Sequence, residues 1–399
     1  MIIKMKIISV GAIKRIVITG IIILIGYLIL SSCCSVIETS PYIVEKLPYQ
    51  EFIPDKSGKG ELFLDDEYHK VPIMVLRGTP GELGAQQGSL LKPQLNTLIT
   101  NYLNRFLHTD AGKKYARQAM ESMREYIPKE YLEEMTEMSK ASGIPLESIL
   151  LLHTIIDAPK FPMCSVIISS GPASKNQQTI FGRNLDYLPL GVATQYNMIA
   201  IYHPDNKKSF ASIIWPGFTG VLSGINQDGL AIAMLVSLDG MDSSDGMPSV
   251  ILLRKIMENA SNIDDAIEII KQSDRSVPVN LAIVDAANQS VIAEITHNRV
   301  ALRYPENGLL FSTNWFITPD MNTGRGDSRY ADMVKMAREY HGQLDRDKII
   351  SILRSARIAN INLQSMVILP KEKMLYFAFG SRNAANGDFR KIDLNKYLK

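Results

Sequence analysis

This chain of 399 residues has little cysteine: Cys33 and Cys34 lie side by side near its start, and Cys164 stands alone in the body. A solitary body thiol excludes an internal disulfide framework. In an exported protein such a thiol is a liability unless it is buried or used. Histidine is scarce too, with six copies, and none forms an H-E-x-x-H pair or another metal-ligand spacing. Zinc hydrolysis therefore has no motif behind it, and neither a metal nor a cofactor is expected. His153 is the histidine nearest Cys164 in sequence; a Cys/His dyad would need a more remote histidine to approach in space. Basic runs interleaved with aromatics are missing, which excludes a nucleic-acid partner. Internal repeats and low-complexity stretches are missing as well. What remains is 46% hydrophobic and 21% charged, with a net charge of +2. That is an ordinary globular composition on a chain long enough for a large core.

The first 32 residues read as a segment apart from that core. Lys4, Lys6, Lys14 and Arg15 make a basic start, and Ile16 to Leu30 is apolar apart from Thr19, Gly20, Gly26 and Tyr27. The run is short for a membrane span, which needs about 20 residues, and fits an export signal peptide. Leu30-Ser31-Ser32-Cys33 resembles a bacterial lipobox. That resemblance implies cleavage before Cys33 and lipid on its thiol. The body would then be exported and membrane-anchored, on the periplasmic face or the cell surface. An uncleaved anchor helix is the alternative. Residues 33–70, with Pro41, Pro48, Pro54, Gly58 and Gly60, read as a polar tether.

Residues 71–163 read as a helical pro-segment. A strand over 71–77 leads through Gly78-Thr79-Pro80-Gly81-Glu82-Leu83-Gly84 into a helix ending near Phe106. Apolar residues recurring at three and four predict helices over 111–126, 129–142 and 145–156. Gly143 and Pro145 supply a glycine stop and a proline start. From Cys164 the texture changes to short strands at 164–170, 178–183, 197–203, 209–215, 219–225 and 229–236. Helices at 247–259 and 263–272 follow, then strands near 280–285, 289–295, 299–304 and 309–314. Helices at 327–341 and 347–355, with strands at 365–369 and 374–379, complete the pattern. Strands, then helices, then strands again predict an α+β fold over 164–399. Its form is a four-layer αββα sandwich, two antiparallel sheets stacked between helical layers.

Phe161-Pro162-Met163-Cys164-Ser165-Val166-Ile167-Ile168 opens the first of those strands. A thiol attacks acyl carbon as thiolate and needs a base. A cut between Met163 and Cys164 would supply one, because a free α-amine with a pKa of about 7.7–8.0 is partly neutral near pH 7. Gly182-Arg183-Asn184-Leu185-Asp186 lies a hairpin away, where a second strand can bring Arg183 and Asp186 back beside the sulfur.

Cys164-Ser165-Val166, followed by Phe181-Gly182-Arg183-Asn184-Leu185-Asp186-Tyr187, resembles the cysteine N-terminal nucleophile (Ntn) hydrolases. These include the penicillin acyltransferase-like proteins, the choloylglycine hydrolases, and the acid ceramidase and N-acylethanolamine acid amidase relatives. Gly84-Ala85-Gln86-Gln87-Gly88, Trp215-Pro216-Gly217-Phe218 and Gly224-Ile225-Asn226-Gln227-Asp228-Gly229-Leu230 resemble the acyltransferase-like branch. Thr313-Asn314 and Asp327-Ser328-Arg329 fall where that group has its later site motifs. The resemblance implies the Ntn sandwich and self-cleavage at Met163–Cys164, by attack of the thiol on its own preceding carbonyl. It implies Cys164 as nucleophile and its α-amine as base. Arg183 would favour the thiolate and Asp186 would orient the amine. Asn314 would donate to the oxyanion, and Arg329 would pair with a carboxylate or with the strand carrying Cys164. The implied substrate is a small N-acyl amide with an apolar acyl group, opened through a thioester.

Two departures stand out. Val236 occupies the position where choloylglycine hydrolases have an asparagine, so a second side-chain oxyanion donor is missing. A long segment also precedes the cysteine. Both point toward the acyltransferase-like and acid amidase branches. The alternatives are a bile-salt-type hydrolase or N-acyltransferase on the same fold, a Cys/His transpeptidase-like enzyme, and a non-catalytic ligand-binding surface lipoprotein. A homo-oligomer stays open. Plainer readings exist for each residue: an inert buried cysteine, a structural Arg183/Asp186 pair, Asn314 as a strand terminator, and His153/Asp157 as an i, i+4 packing pair.

Overall fold

Val166, Ile167 and Ile168 are all fully buried. A strand covered on both faces shows a continuous apolar run instead of alternation, and this one lies inside two stacked sheets. The computed structural model describes residues 52–54, 57–65, 71–157, 163–240 and 243–399. Cys33, the lipobox-like stretch and the apolar run before it lie outside these residues, as do Phe161 and Pro162.

The larger sheet has, in spatial order, β1 (Phe52–Pro54), β2 (Glu61–Asp65), β3 (Val71–Gly78), β6 (Met198–Pro204), β7 (Phe210–Ile214), β8 (Ser223–Asn226), β9 (Ala231–Val236), β10 (Val279–Val284), β11 (Ser290–Ile295) and β12 (Val300–Arg303). The smaller has β13 (Leu309–Ser312), β4 (Met163–Ser169), β5 (Ile180–Asp186), β14 (Asn362–Leu369), β15 (Met374–Phe379) and β16 (Arg390–Asp393). The sheets meet through β4 against β9 and β11 against β13.

Before the first buried strand of the smaller sheet come α1 (Pro80–Leu90), α2 (Lys92–Leu98), a π-helical turn over Ile99–Leu103, α3 (Asp110–Arg124), α4 (Lys129–Ser142) and α5 (Leu146–Thr154). Thr79 starts α1 with a capping box to Glu82 and a proline in the first turn, which satisfies the amide groups that a helix start leaves unpaired. On the far side of the larger sheet lie α6 (Ser249–Asn259) and α7 (Ile263–Gln272), and on the far side of the smaller lie α8 (Ser328–Glu339) and α9 (Arg346–Ala356). Ile349, Ile352, Leu353 and Ala356 recur at helical spacing on α9 and are buried against Ile167 and Val367. Gly182 permits that contact: a Cβ there would stand 2.5 Å from the Ile349 Cγ2 atom. The architecture is the expected αββα sandwich.

Three features differ from the expectation. β3 runs parallel to β6, Ile73 opposite Ile199, because the chain crosses into the other sheet and returns by a long connection. The stretch read as a tether contributes β1 and β2, paired Phe52 with Phe63, so part of it is sheet edge. The strand expected over 71–77 is β3, and with β1 and β2 it puts three strands from before Cys164 on the larger sheet. β16 was not legible either.

A buried ion cluster fastens that upstream segment to the core. Arg254 of α6 donates from Nη2 to Glu134 of α4 at 3.2 Å, from Nε to Glu258 at 2.5 Å and from Nη1 to the Thr219 carbonyl at 2.8 Å. The ring centroids of Tyr202 and Phe210 lie 4.2 and 4.7 Å from its guanidinium. Tyr131 and Lys207 each donate to Glu258 at 2.7 Å. The α1 and α4 helices touch at Gly84, where a Cβ would fall 1.9 Å from the Glu134 carbonyl oxygen.

Candidate active site

Side chains alternate across a strand, and this divides the residues around Cys164 between two faces. β4 and β5 pair with Cys164 opposite Leu185, Val166 opposite Arg183 and Met163 opposite Asp186. Cys164, Arg183 and Leu185 share the face toward the larger sheet: Arg183 Nη2 donates to the Met234 carbonyl at 3.1 Å and lies 3.7 Å from Cys164 Sγ. Asn184 and Asp186 share the face toward α8 and α9. Asn184 donates to the Leu353 carbonyl at 2.8 Å and to Ser165 Oγ at 3.2 Å, and accepts from Ser365 at 2.8 Å. That ladder ties β4, β5 and β14 together beneath the cysteine.

Arg329 joins the two faces at the end of β4. Its Nη1 donates to the Cys164 carbonyl at 3.1 Å and to Asp186 at 3.4 Å, and its Nη2 donates to Asn314 Oδ1 at 3.1 Å and to Asp327 at 2.8 Å. A cation at a helix start opposes the helix dipole. Here Asp327, the N-cap of α8, offsets it and also accepts from the Tyr330 amide. Asn314 Oδ1 accepts from the Cys164 amide at 2.7 Å, while Asn314 Nδ2 donates to the Val236 carbonyl at 2.7 Å. In this uncut chain the Asn314 amide group is therefore engaged with β9 and does not stand open as an oxyanion donor.

Burial pushes the Cys164 thiol above its usual range, and Arg183 pulls it back. Burial likewise pushes Asp186 up to about 7, against the pull of Arg329 and the hydrogen bond from Asn362 at 2.8 Å. His153 is fully buried and stacks on Phe218 with centroids 4.9 Å apart. Its Nε2 accepts from the Thr219 amide at 2.8 Å, and burial holds its pKa down at about 4. Asp157 accepts from the first amide of α6, Ser249, at 2.7 Å. Both are packing groups. Among the described residues no group of three His, Cys, Asp or Glu could hold a metal ion.

An apolar cleft of about 670 Å³, open mouth included, adjoins this cluster. Leu185, directly across from Cys164, is part of its wall. Leu98, Tyr102 and Leu152 from before Cys164 face Trp215, Phe218 and Leu222 from after it. The π-helical turn carries Tyr102, whose hydroxyl donates to the Leu188 carbonyl at 3.0 Å.

Two site residues were missed in the sequence. Asn362 of β14 holds Asp186, and Asp239 accepts from the Phe316 amide at 2.6 Å and the Thr323 amide at 2.9 Å. Asp239 thereby fixes the loop after Asn314. No local pattern marks either, since each is defined by a partner far along the chain.

Residues 173–355 match the family model described as acyl-coenzyme A:6-aminopenicillanic acid acyl-transferase. The chain is 29% identical over 245 residues to protein dcd1A of Dictyostelium discoideum, covering 53% of this chain and 55% of that one. It is 23% identical over 222 residues to acid ceramidase of Mus musculus, covering 50% and 55%. The chain thus spans about half the length of the curated relatives it matches. A solved structure, the Caenorhabditis elegans ortholog of N-acylethanolamine-hydrolyzing acid amidase, aligns at 16% identity with a TM-score of 0.45, covering 52% of this chain and 93% of that one. Over residues 173–355 the chain is thus similar to the acyl-coenzyme A:6-aminopenicillanic acid acyl-transferase family, and over about half of its length to acid ceramidase.

Proposed function

We propose that the chain is a self-processing cysteine amidohydrolase that opens a linear carbon–nitrogen amide bond of an N-acyl substrate through a thioester on Cys164. One observation carries the reading: Cys164 Sγ stands 3.7 Å from the Arg183 guanidinium, and its cross-strand neighbour Leu185 lines an apolar cleft. The acyl group occupies that cleft. Relatives named for ceramide and N-acylethanolamine hydrolysis support an apolar acyl chain.

Processing comes first. Cys164 Sγ bonds to the Met163 carbonyl carbon, the Met163–Cys164 C–N bond breaks, and water resolves the resulting thioester. This frees the Met163 carboxylate and the Cys164 α-amine. That nitrogen now lies 2.7 Å from Asn314 Oδ1, which can hold it as the base for the thiol. The upstream piece remains bound through β3 on β6 and through Glu134 on Arg254, and keeps its part of the cleft wall. Export and attachment to a membrane by lipid on Cys33 complete the proposal.

Intact mass and N-terminal sequencing of the chain lacking residues 1–34 test it. Two co-purifying fragments are expected, the second beginning at Cys164, and Cys164→Ala should stay whole and form no acyl adduct. A single uncut wild-type chain, with amide hydrolysis unchanged in Cys164→Ala, overturns the reading.

A further inference from the structure

We infer that Asn280 and Glu294, a cross-strand pair buried in the larger sheet, are positioning residues that set where Asn314 stands against the Cys164 nitrogen. The inference rests on the amidohydrolase reading and deepens it: neither residue touches the reacting atoms, and each acts through Asn314. Asn280 of β10 lies directly opposite Glu294 of β11, so both project from one face of the sheet. Both are fully buried, in strands that are otherwise mostly apolar. Polar groups in such places are costly unless they are hydrogen-bonded.

Their backbone partners all belong to one turn. β13 ends at Ser312, and residues 313–318 after it lie in no helix or strand. Thr313, Asn314 and Phe316 are buried there, and buried backbone without a ladder needs other partners. Asn280 Nδ2 donates to the Thr313 carbonyl at 3.1 Å, just before Asn314. Glu294 accepts from the Ile317 amide at 2.7 Å and the Thr318 amide at 2.9 Å, just after it. Arg303 steadies this carboxylate, donating to it from Nε at 2.6 Å and to the Phe311 carbonyl from Nη2 at 2.9 Å. A donor thus grips the turn on one side of Asn314 and an acceptor grips it on the other. Asn280 Oδ1 has no partner among the described residues, so its donors alone offset its burial.

Asn314 needs that grip. Its Oδ1 accepts from the Cys164 amide at 2.7 Å and from Arg329 Nη2 at 3.1 Å, while its Nδ2 donates to the Val236 carbonyl at 2.7 Å. A side chain held by three partners at these distances cannot shift without losing one. A displacement of about 1 Å at a reacting group can cost about 10²-fold in rate. The Cys164 nitrogen is the leaving group in self-cleavage and the base in turnover, so a loosened turn slows both.

The test follows Asn280→Leu, which keeps the approximate volume and removes the donors. Asn280→Ala serves if the leucine variant does not fold. Intact mass should show uncut chain persisting through purification, with cleavage slowed about 10-fold or more. On the processed fraction, with a fatty-acyl amide of aminomethylcoumarin as probe, kcat should fall about 10–10²-fold and KM should change little. The acid limb of kcat/KM should move to lower pH, because Asn314 Oδ1 no longer stabilises the ammonium form of the α-amine. Glu294→Gln, which leaves one acceptor oxygen for two amides, should move kcat and the limb in the same directions by less. A folded variant of either residue with wild-type cleavage and kcat overturns its assignment. A fall in kcat with an unmoved acid limb does so too, since looser packing alone would give it. A wild type that stays uncut and forms no thioester on Cys164 overturns the underlying reading instead.

Discussion

Arg254 and Arg183 are the two largest fully buried side chains of the described residues, and they are held in opposite ways. Every nitrogen of Arg254 donates to a protein oxygen, two of them carboxylates, and its guanidinium lies against the stacked rings of Tyr202 and Phe210. Arg183 makes one hydrogen bond to a backbone carbonyl, approaches a sulfur, and leaves Nε and Nη1 without a partner among the described residues. Burying a cation is tolerable when its hydrogen bonds are complete and countercharges stand close. The Arg254 cluster meets that condition and joins the segment before Cys164 to the core after it. The Arg183 surroundings do not meet it, although its Nη2 lies beside Cys164 Sγ. Complete satisfaction suits a group that holds the fold together, and Arg183, incompletely satisfied beside Cys164, is not held that way.

Substitutions to leucine test that contrast most directly. In the Cys164→Ala background, which on the proposed function is not cut and allows two-state analysis, Arg254→Leu should cost about 3–5 kcal/mol of unfolding free energy, because Glu134 and Glu258 lose their central cation. Arg183→Leu should cost within about 1 kcal/mol or stabilise, since it removes unpaired buried donors along with the charge. With Cys164 restored, the same Arg183→Leu change should abolish measurable turnover. Urea unfolding at pH 7 reads the first pair, and hydrolysis of a fatty-acyl amide of aminomethylcoumarin reads the third. Equal destabilisation by the two leucines would erase the distinction.

The sequence made the frame legible because local pattern and burial agree there. Lys129–Ser142 is bounded by a proline before and a left-handed Gly143 after, so its helix falls on the expected residues. The β1 and β2 strands were missed because Pro54, Gly58 and Gly60 read as linker, while the pairing of Phe52 with Phe63 is a tertiary event. The candidate site was legible as a list and less so as a geometry. Arg183 and Asp186 are three apart, which on a strand sets them on opposite faces. Only Arg183 therefore shares the face of Cys164, and Asp186 turns to Arg329 and Asn362. The engagement of Asn314 with Val236 depends on how two sheets stack, which no local pattern encodes.

The smallest effect concerns how far the Arg254 cluster is itself satisfied. Glu258 has Arg254, Lys207 and Tyr131, and these hold its pKa down despite burial. Glu134 has Arg254 alone, with Oε1 unpartnered among the described residues, and burial pushes it up to about 7. A carboxyl whose folded pKa lies above its unfolded value of 4.5 adds stability that is full below 4.5 and lost as pH rises through about 7. Asp186 acts in the same direction. His153, held down at about 4, acts oppositely: its contribution is present above 6.5 and lost as pH falls through 4. Both of those groups remain in Glu134→Gln, so the difference between the variant and its parent isolates Glu134. At pH 5.5 the two should agree within about 1 kcal/mol, because glutamine resembles the protonated acid. Between pH 5.5 and 7.5 the parent should lose stability relative to the variant, by at most roughly 1.4 kcal/mol per pH unit. Parallel curves in urea unfolding would mean that Glu134 is ionised throughout, and that Arg254 satisfies both of its carboxylates as fully as it is itself satisfied.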